Sequence, residues 1–287
     1  MQPLFYLQVA LALFTVALVV AWIVYGKPQD EDDHGWPRPI HLGLGFVINF
    51  FDTLGIGSFA PTTASYRLLK LVPDERIPGT MNVGHTLPTI LQAFIYTKKV
   101  DVDFQTLVIM IIAAVLGAWL GAGVVAGWPR RKIQIGMGGA LLVAATLFTL
   151  TNLGIAPGGG TALGVTGAKL AIGAIGNFGL GALMTLGIGL YGPSLIMISF
   201  LGMDPRVSFP IMMGSCAFLM VVAGIRFLKA GAYRQRAAIG LTIGGLPAVI
   251  IAAFLVVSLP LATVRWLVVV VVLYTAITML RSAIKRA

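Results

Sequence analysis

Charge is scarce in this sequence. Charged residues make up 10% of its 287 positions and hydrophobic ones 58%, where a soluble domain carries about a quarter charged residues. That excludes an ordinary soluble globule. Acidic residues are the scarcer kind, ten against twenty basic ones. The net charge of +10 does not describe a nucleic-acid binder, because Lys and Arg stand in short clusters between apolar runs instead of along one face or tail. Cysteine occurs once, at Cys216 inside an apolar stretch. This excludes an intrachain disulfide and a multi-cysteine zinc site, and it reads as a small buried hydrophobe. G-x-x-x-x-G-K-[ST], H-E-x-x-H, G-x-S-x-G and paired intramembrane aspartates are also missing. Neither ATP drive within the chain nor an intramembrane enzyme is expected, and no cofactor or metal is called for.

What the sequence has in quantity is apolar length. Nine hydrophobic segments run through residues 4–25, 40–66, 81–97, 105–127, 133–151, 167–200, 208–228, 238–259 and 263–281. At roughly 20 apolar residues per crossing, they leave almost nothing for a domain outside the bilayer. The first lacks a basic stretch before it and a small-residue cleavage site, so it reads as a retained span. Residues 27–40 form the one conspicuously polar connection, and its acidic run Asp30, Glu31, Asp32, Asp33 with His34 reads as a solvated loop.

Internal repetition carries the most information, because repeated membrane halves place a substrate site between them. Asp52–Thr62 reads D-T-L-G-I-G-S-F-A-P-T and Met184–Ser194 reads M-T-L-G-I-G-L-Y-G-P-S, at an offset of 132. At an offset of 130, Asp74 and Arg76 then pair with Asp204 and Arg206, and Gly84 with Gly214. The small residues around Gly117 and Gly121 face those around Gly244 and Gly245, which by itself signals only close helix packing.

Positive charge arbitrates the topology. If every segment crosses, Arg130, Arg131 and Lys132 fall outside. If 40–66 and 167–200 are hairpins, only Lys98, Lys99, Lys169, Arg206 and Arg265 stand opposite all the other basic residues. The hairpin reading predicts an all-α integral membrane protein of two inverted repeats, each a glycine-broken re-entrant hairpin plus three transmembrane helices. The expected division is 1–26 as an additional N-terminal transmembrane helix, 27–40 as polar loop, 41–151 as first transport repeat, 152–166 as linker and 167–287 as second transport repeat.

Backbone amides freed by a break inside the bilayer need protein or a watery cavity around them, so the breaks face inward. Gly55, Gly57, Gly187 and Gly189 permit tight turns, and Pro61 and Pro193 suit the first turn of a following half-helix. Amide donors and the positive end of each half-helix dipole then favour an anion without a buried lysine. Candidate substrate contacts are Asn49, Thr53, Ser58, Thr62, Asn177, Thr185 and Ser194, together with those four glycines. Asp52, the one acid well inside an apolar segment, is the candidate for proton coupling or gating, with His85 as a group that shares its proton. A structural role for Asp52, capping the broken helix or pairing with His85 or Asn82, stays equally open.

The G-I-G motif soon after G-x-x-x-N, its repetition in the second half, and the G-A-W-L-G-A span together resemble the TauE/SafE sulfite-exporter family, the toluene sulfonate uptake permeases. The resemblance spans about residues 41–282. It implies inverted repeats, transport of small anions such as sulfite, sulfonate or thiosulfate across the cytoplasmic (inner) membrane, and a permeation site around Gly55, Gly57, Gly187 and Gly189. Where many members continue the first motif with further glycines, this sequence has Ser58, Phe59, Ala60 and Pro61. The expected partners are a small anionic substrate and the lipid bilayer, with proton coupling open through Asp52 and no nucleic acid. A channel-like conduit and a non-transporting membrane partner protein are the rival readings.

Overall fold

The computed structural model describes residues 2–28, 30, 33–125, 130–155, 160–184 and 189–284. Among these there is no sheet, only an isolated bridge between Ala162 and Met203. Twelve α-helices follow one another: α1 Gln2–Tyr25, α2 Pro39–Thr53, α3 Phe59–Leu68, α4 Ile77–Gly84, α5 Thr86–Lys99, α6 Phe104–Val125, α7 Arg130–Asn152, α8 Gly167–Met184, α9 Tyr191–Phe200, α10 Ser208–Ala230, α11 Gln235–Ser258 and α12 Leu261–Ile284. Among the described residues, five helices are long and apolar enough to cross a membrane: Leu4–Tyr25, Gly167–Met184, Pro205–Ala230, Gln235–Leu255 and Trp266–Ile284. The protein is an all-α, multi-span membrane protein.

Helix ends follow local chemistry. Pro39 opens α2 at a position where its missing N–H costs nothing. Gly231, at φ 63°, ends α10 with its own amide on the Leu228 carbonyl and the Ala232 amide on Phe227, a Schellman closure. The segment 81–97 is interrupted at His85, which the hydropathy alone did not predict. Pro88 brings no amide to the Gly84 carbonyl four residues back, and the Thr242 hydroxyl of α11 donates to that carbonyl instead, at 2.7 Å.

Packing is most extensive between α2 and α11, α6 and α8, α7 and α12, and α5 and α10. Small residues set the first two approaches. A Cβ on Gly244 would overlap the Leu42 carbonyl of α2, and one on Gly117 or Gly181 would overlap backbone of α8 or α6. Helix α1 buries Leu7, Leu11, Leu18 and Ala21 at helical spacing against this bundle and leaves Leu13, Val16, Val20 and Ile23 exposed, as a lipid-facing helix should. Phe14 meets Phe218 of α10 edge-on at 4.9 Å between ring centres.

Two groups of connections are tied together. In the first, Asp30 pairs with Arg76 beyond α3 at 2.5 Å and with Arg234 before α11 at 2.8 Å. The Tyr233 hydroxyl lies 3.4 Å from the Lys27 carbonyl, and burial pushes that phenol up to about 12, so it remains a donor. In the second group, Asp103 donates its amide to Leu163, Asp204 donates its amide to Ala162, the Lys169 ammonium donates to Leu201 at 3.1 Å, and Arg206 donates to Leu259 at 3.0 Å.

The polar loop corrects one expectation. Asp33 is 3% exposed, and its carboxylate accepts the amides of Gln235 and Arg236 at 2.8 and 3.1 Å. An acid at the first turn of α11 complements the helix dipole, so Asp33 is a buried cap and not part of a solvated run. Glu31 and Asp32 lie outside the described residues.

Candidate functional site

The first break lies between α2 and α3. Gly55 and Gly57 hold φ of 99° and 87°, values that a side chain disfavours. Gly55 is buried, and the space over its α-carbon is bounded by Leu195 of α9 with Phe209 and Met212 of α10. Gly57 looks into open space. The break therefore faces the elements that follow the second glycine-rich motif. Of that second motif, Thr185 and Gly187 lie outside the described residues, while Gly189 is half-buried with open space over its α-carbon.

Asp52 is 1% exposed in the last turn of α2. Its carboxylate accepts from Gln92 Nε2 at 2.9 Å. Its hydrogen-bond partner is thus Gln92, not His85 or Asn82, and Asn82 donates to Pro78 of its own helix. Gln92 also donates to Thr53 Oγ1 at 2.9 Å, and its Oε1 accepts from the Tyr191 hydroxyl at 3.0 Å. Tyr191 is the first residue of α9, so one glutamine joins the acid before the first break to the helix after the second. Tyr96, stacked on Phe209, donates to the Thr53 carbonyl at 3.2 Å. The ion pairs among the described residues, Arg67–Asp74, Arg76–Asp30 and Arg234–Asp30, all lie elsewhere. A buried carboxylate held by a neutral donor and no basic side chain is expensive, which makes the place a candidate site.

His85 occupies the α4–α5 junction and is fully buried. Asn49 spends its amide hydrogens on the carbonyls of Gly45 and Leu241, at 2.7 and 3.3 Å. Its Oδ1 therefore faces His85 Nδ1, 3.0 Å away, and that nitrogen carries the hydrogen. Nε2 lies 2.9 Å from the Thr62 hydroxyl, whose single hydrogen also has the Ser58 carbonyl within 2.7 Å. Close polar contacts thus link Asn49, His85 and Thr62, with the Thr62 hydrogen shared between His85 Nε2 and the Ser58 carbonyl.

A second knot matches the first. Asn177 donates to the Met110 carbonyl of α6 at 2.7 Å and to Ser215 Oγ of α10 at 3.1 Å. Asn49 and Asn177 each end a G-x-x-x-N turn, and Ser215 follows Gly214 as His85 follows Gly84. The second knot is incomplete: Asn177 Oδ1 and Ser194 Oγ are buried without a partner. Met184, at the place of Asp52, accepts a weak contact from Cys216 Sγ at 3.6 Å.

Sequence reasoning did not single out Gln92, Tyr191, Tyr96, Ser215 or Thr242. Gln92 had a usable signal, being an amide inside an apolar run. Tyr191 had none, since an aromatic in such a run usually reads as packing. Among the described residues, no cluster of His, Cys, Asp or Glu is placed to hold a metal.

These features define a polytopic helical membrane protein with a buried polar centre. Residues 2–148 match the family model described as Sulfite exporter TauE/SafE, and the chain belongs to that family. It is accordingly a membrane transport protein and not an enzyme. The match takes in α1 and ends inside α7. No curated protein and no solved structure matches the chain.

Proposed function

We propose that the protein carries small sulfur-containing anions, such as sulfite, sulfonate or thiosulfate, across the cytoplasmic membrane by alternating access. The moving parts are two inverted halves, 41–151 and 167–287, each a broken hairpin followed by three crossings. Residues 1–26 are the additional helix, 27–40 the polar loop and 152–166 the linker.

Helix pairing supports the inverted halves. Exchanging the halves takes α2 to α8, α5 to α10, α6 to α11 and α7 to α12. The pairs α2–α11 and α6–α8 then exchange, while α5–α10 and α7–α12 return to themselves, as a pseudo-two-fold axis requires. The tied connections support the hairpins. Asp30, before α2, pairs with Arg76, after α3, and Lys169, at the start of α8, reaches Leu201, just past α9. A helix pair that begins and ends at one face is re-entrant. The substrate class is read from the family and from the break chemistry: half-helix ends and hydroxyls without a Lys or Arg suit a small oxyanion.

The observation that carries the proposal is the meeting of the two breaks through Gln92, between Asp52 and Tyr191. A site shared by two halves is the one that rocking can open to either side. Purified protein in liposomes should move sulfite or thiosulfate faster than protein-free liposomes do, and should accumulate it against its gradient when a proton gradient is applied. Flux that never runs uphill assigns the protein to conduits, and absence of flux for every sulfur anion assigns it to non-transporting partners.

A further inference from the structure

We propose that the cleft between α1 and α6 is a phospholipid site, with one acyl chain lying along the cleft and the lipid phosphate at Lys98 and Lys99. The inference does not depend on what the protein transports.

Helix α1 packs against α10 and α5, and α6 packs against α8 and α10. The two therefore flank α10 without closing on each other, and a cavity of about 230 Å³ is left between them. Leu7 and Phe14 of α1, Val108, Ile111 and Val115 of α6, and Phe218 of α10 line it. Every lining residue is apolar, so a water molecule would find no partner there. Ile112 and Leu116 form the lip, 51% and 38% exposed, and the cleft opens sideways on the surface that α1 presents to the bilayer. A closed apolar cavity of about 150 Å³ stays dry and takes up benzene. A larger one that opens onto hydrocarbon is filled by hydrocarbon, because helix faces in a membrane gain from close packing. The hydrocarbon at hand is an acyl chain.

The register of the helices places the headgroup. Phe14 meets Phe218 edge-on and Leu18 lies against Gly224, so α1 runs alongside α10 in the same direction. Counting back from Phe14, Leu7 stands level with Ile211, close to Phe209, on which Tyr96 of α5 stacks. Val108 lies one turn into α6, which follows α5 after residues 100–103. Both walls of the cleft thus end where α5 ends, within a turn of Lys98 and Lys99. The two lysines are exposed and take no part in the ion pairs among the described residues. Of the acids in the connection, Asp103 Oδ1 is engaged by the amide and hydroxyl of Thr106, and Asp101 is exposed. Two ammonium groups at the end of an apolar cleft complement the phosphate of a chain that enters it, and Asp101 complements the amine of a phosphoethanolamine headgroup. The bound lipid completes the packing of α1 against α6 and α10.

The test is native mass spectrometry of the full chain, stripped of lipid in detergent and titrated with palmitoyl-oleoyl phosphatidylethanolamine or with the diacylglycerol of the same chains. One phosphatidylethanolamine per chain is expected, retained about tenfold better than the diacylglycerol, as two lysines near a phosphate provide. Val115→Trp fills the cleft and should lower retention about tenfold, since several methylenes lose their place. Lys98→Gln combined with Lys99→Gln should lower retention to the diacylglycerol level. Both lysines are exposed, so this double variant decides the matter even if Val115→Trp does not fold. Ile250→Trp, on α11 and outside the cleft, should match the unmodified chain. Equal retention of the two ligands, or full retention in the lysine variant, overturns the site. So does a dimer without bound lipid that Val115→Trp disperses, which would give the cleft to a second copy of the chain.

Discussion

The Tyr191 hydroxyl donates to Gln92 Oε1 at 3.0 Å, joining the first residue of α9 to the middle of α5 in the dry centre of the protein. Tyr191→Phe removes the donor and leaves that oxygen without one, at a cost of about 1–3 kcal/mol. Gln92→Leu should cost more, because Asp52 Oδ2, the Thr53 hydroxyl and the Tyr191 hydroxyl all lose a partner. Denaturation of the two single variants and the double variant checks this. The double should fall short of the sum of the singles, as groups in one network do.

The close approach of α2 and α11 rests on a missing side chain. Gly244→Ala should destabilise by about 1–3 kcal/mol or more, since the new Cβ meets the Leu42 carbonyl and neither backbone can retreat. Gly43→Ala, on α2 with open space over its α-carbon, should cost little. Melting temperatures of the two variants in the same detergent separate a packing contact from a general loss of glycine.

Much of this arrangement could be read from the amino acids. The alternation of apolar runs and basic clusters located the helices, and the first T-L-G-I-G motif located the break between α2 and α3, because hydropathy and glycine both act locally. Three features escaped that reading for the opposite reason. His85 ends a helix because Pro88, three residues on, withdraws an amide and Thr242, far away in sequence, takes the freed carbonyl. Asp33 is buried because Gln235 and Arg236 present unpaired amides to it. Gln92 matters because Asp52 and Tyr191 both reach it. In each case the partner is distant along the chain, and no local pattern announces it.

The knot around Asn49 makes a further comparison possible. Asn49 is fully buried with three partners on two helices and one histidine, whereas Asn82 bonds only the Pro78 carbonyl one turn away. Asn49→Leu should lose about 3 kcal/mol or more, removing the tie to the Leu241 carbonyl and leaving His85 Nδ1 without its acceptor, and Asn82→Leu should lose under about 1 kcal/mol. Chemical denaturation of both variants tests this, and equal losses would contradict it.

Topology can be checked without any substrate. Trp36 and Lys70 are both exposed and lie on connections joined by the Asp30–Arg76 pair. Cysteines placed at either position should react with an impermeant thiol reagent from the same side of the membrane. Cysteines at Lys99 and Arg131, at opposite ends of the α6 crossing, should react from opposite sides. The natural Cys216 is fully buried and should stay silent. Labelling of Trp36→Cys and Lys70→Cys from different sides would make α2 and α3 a full crossing and remove the inverted repeat.

The last prediction separates driving from carrying. Asp52 is held by Gln92 with no basic side chain paired to it, so a change in its proton is felt, through Gln92, by the first residue of α9. Asn in its place keeps the shape and hydrogen-bonding capacity but cannot exchange a proton. If Asp52 couples transport to a proton gradient, Asp52→Asn in liposomes should still carry sulfite down its own gradient while losing accumulation driven by a pH difference. Linkage gives the reason: a gradient can drive a cycle only through a group whose affinity for the proton differs between the two states of the carrier. Retention of pH-driven accumulation in Asp52→Asn would move the coupling elsewhere, with His85, a buried titratable group at the α4–α5 junction, as the next residue to replace.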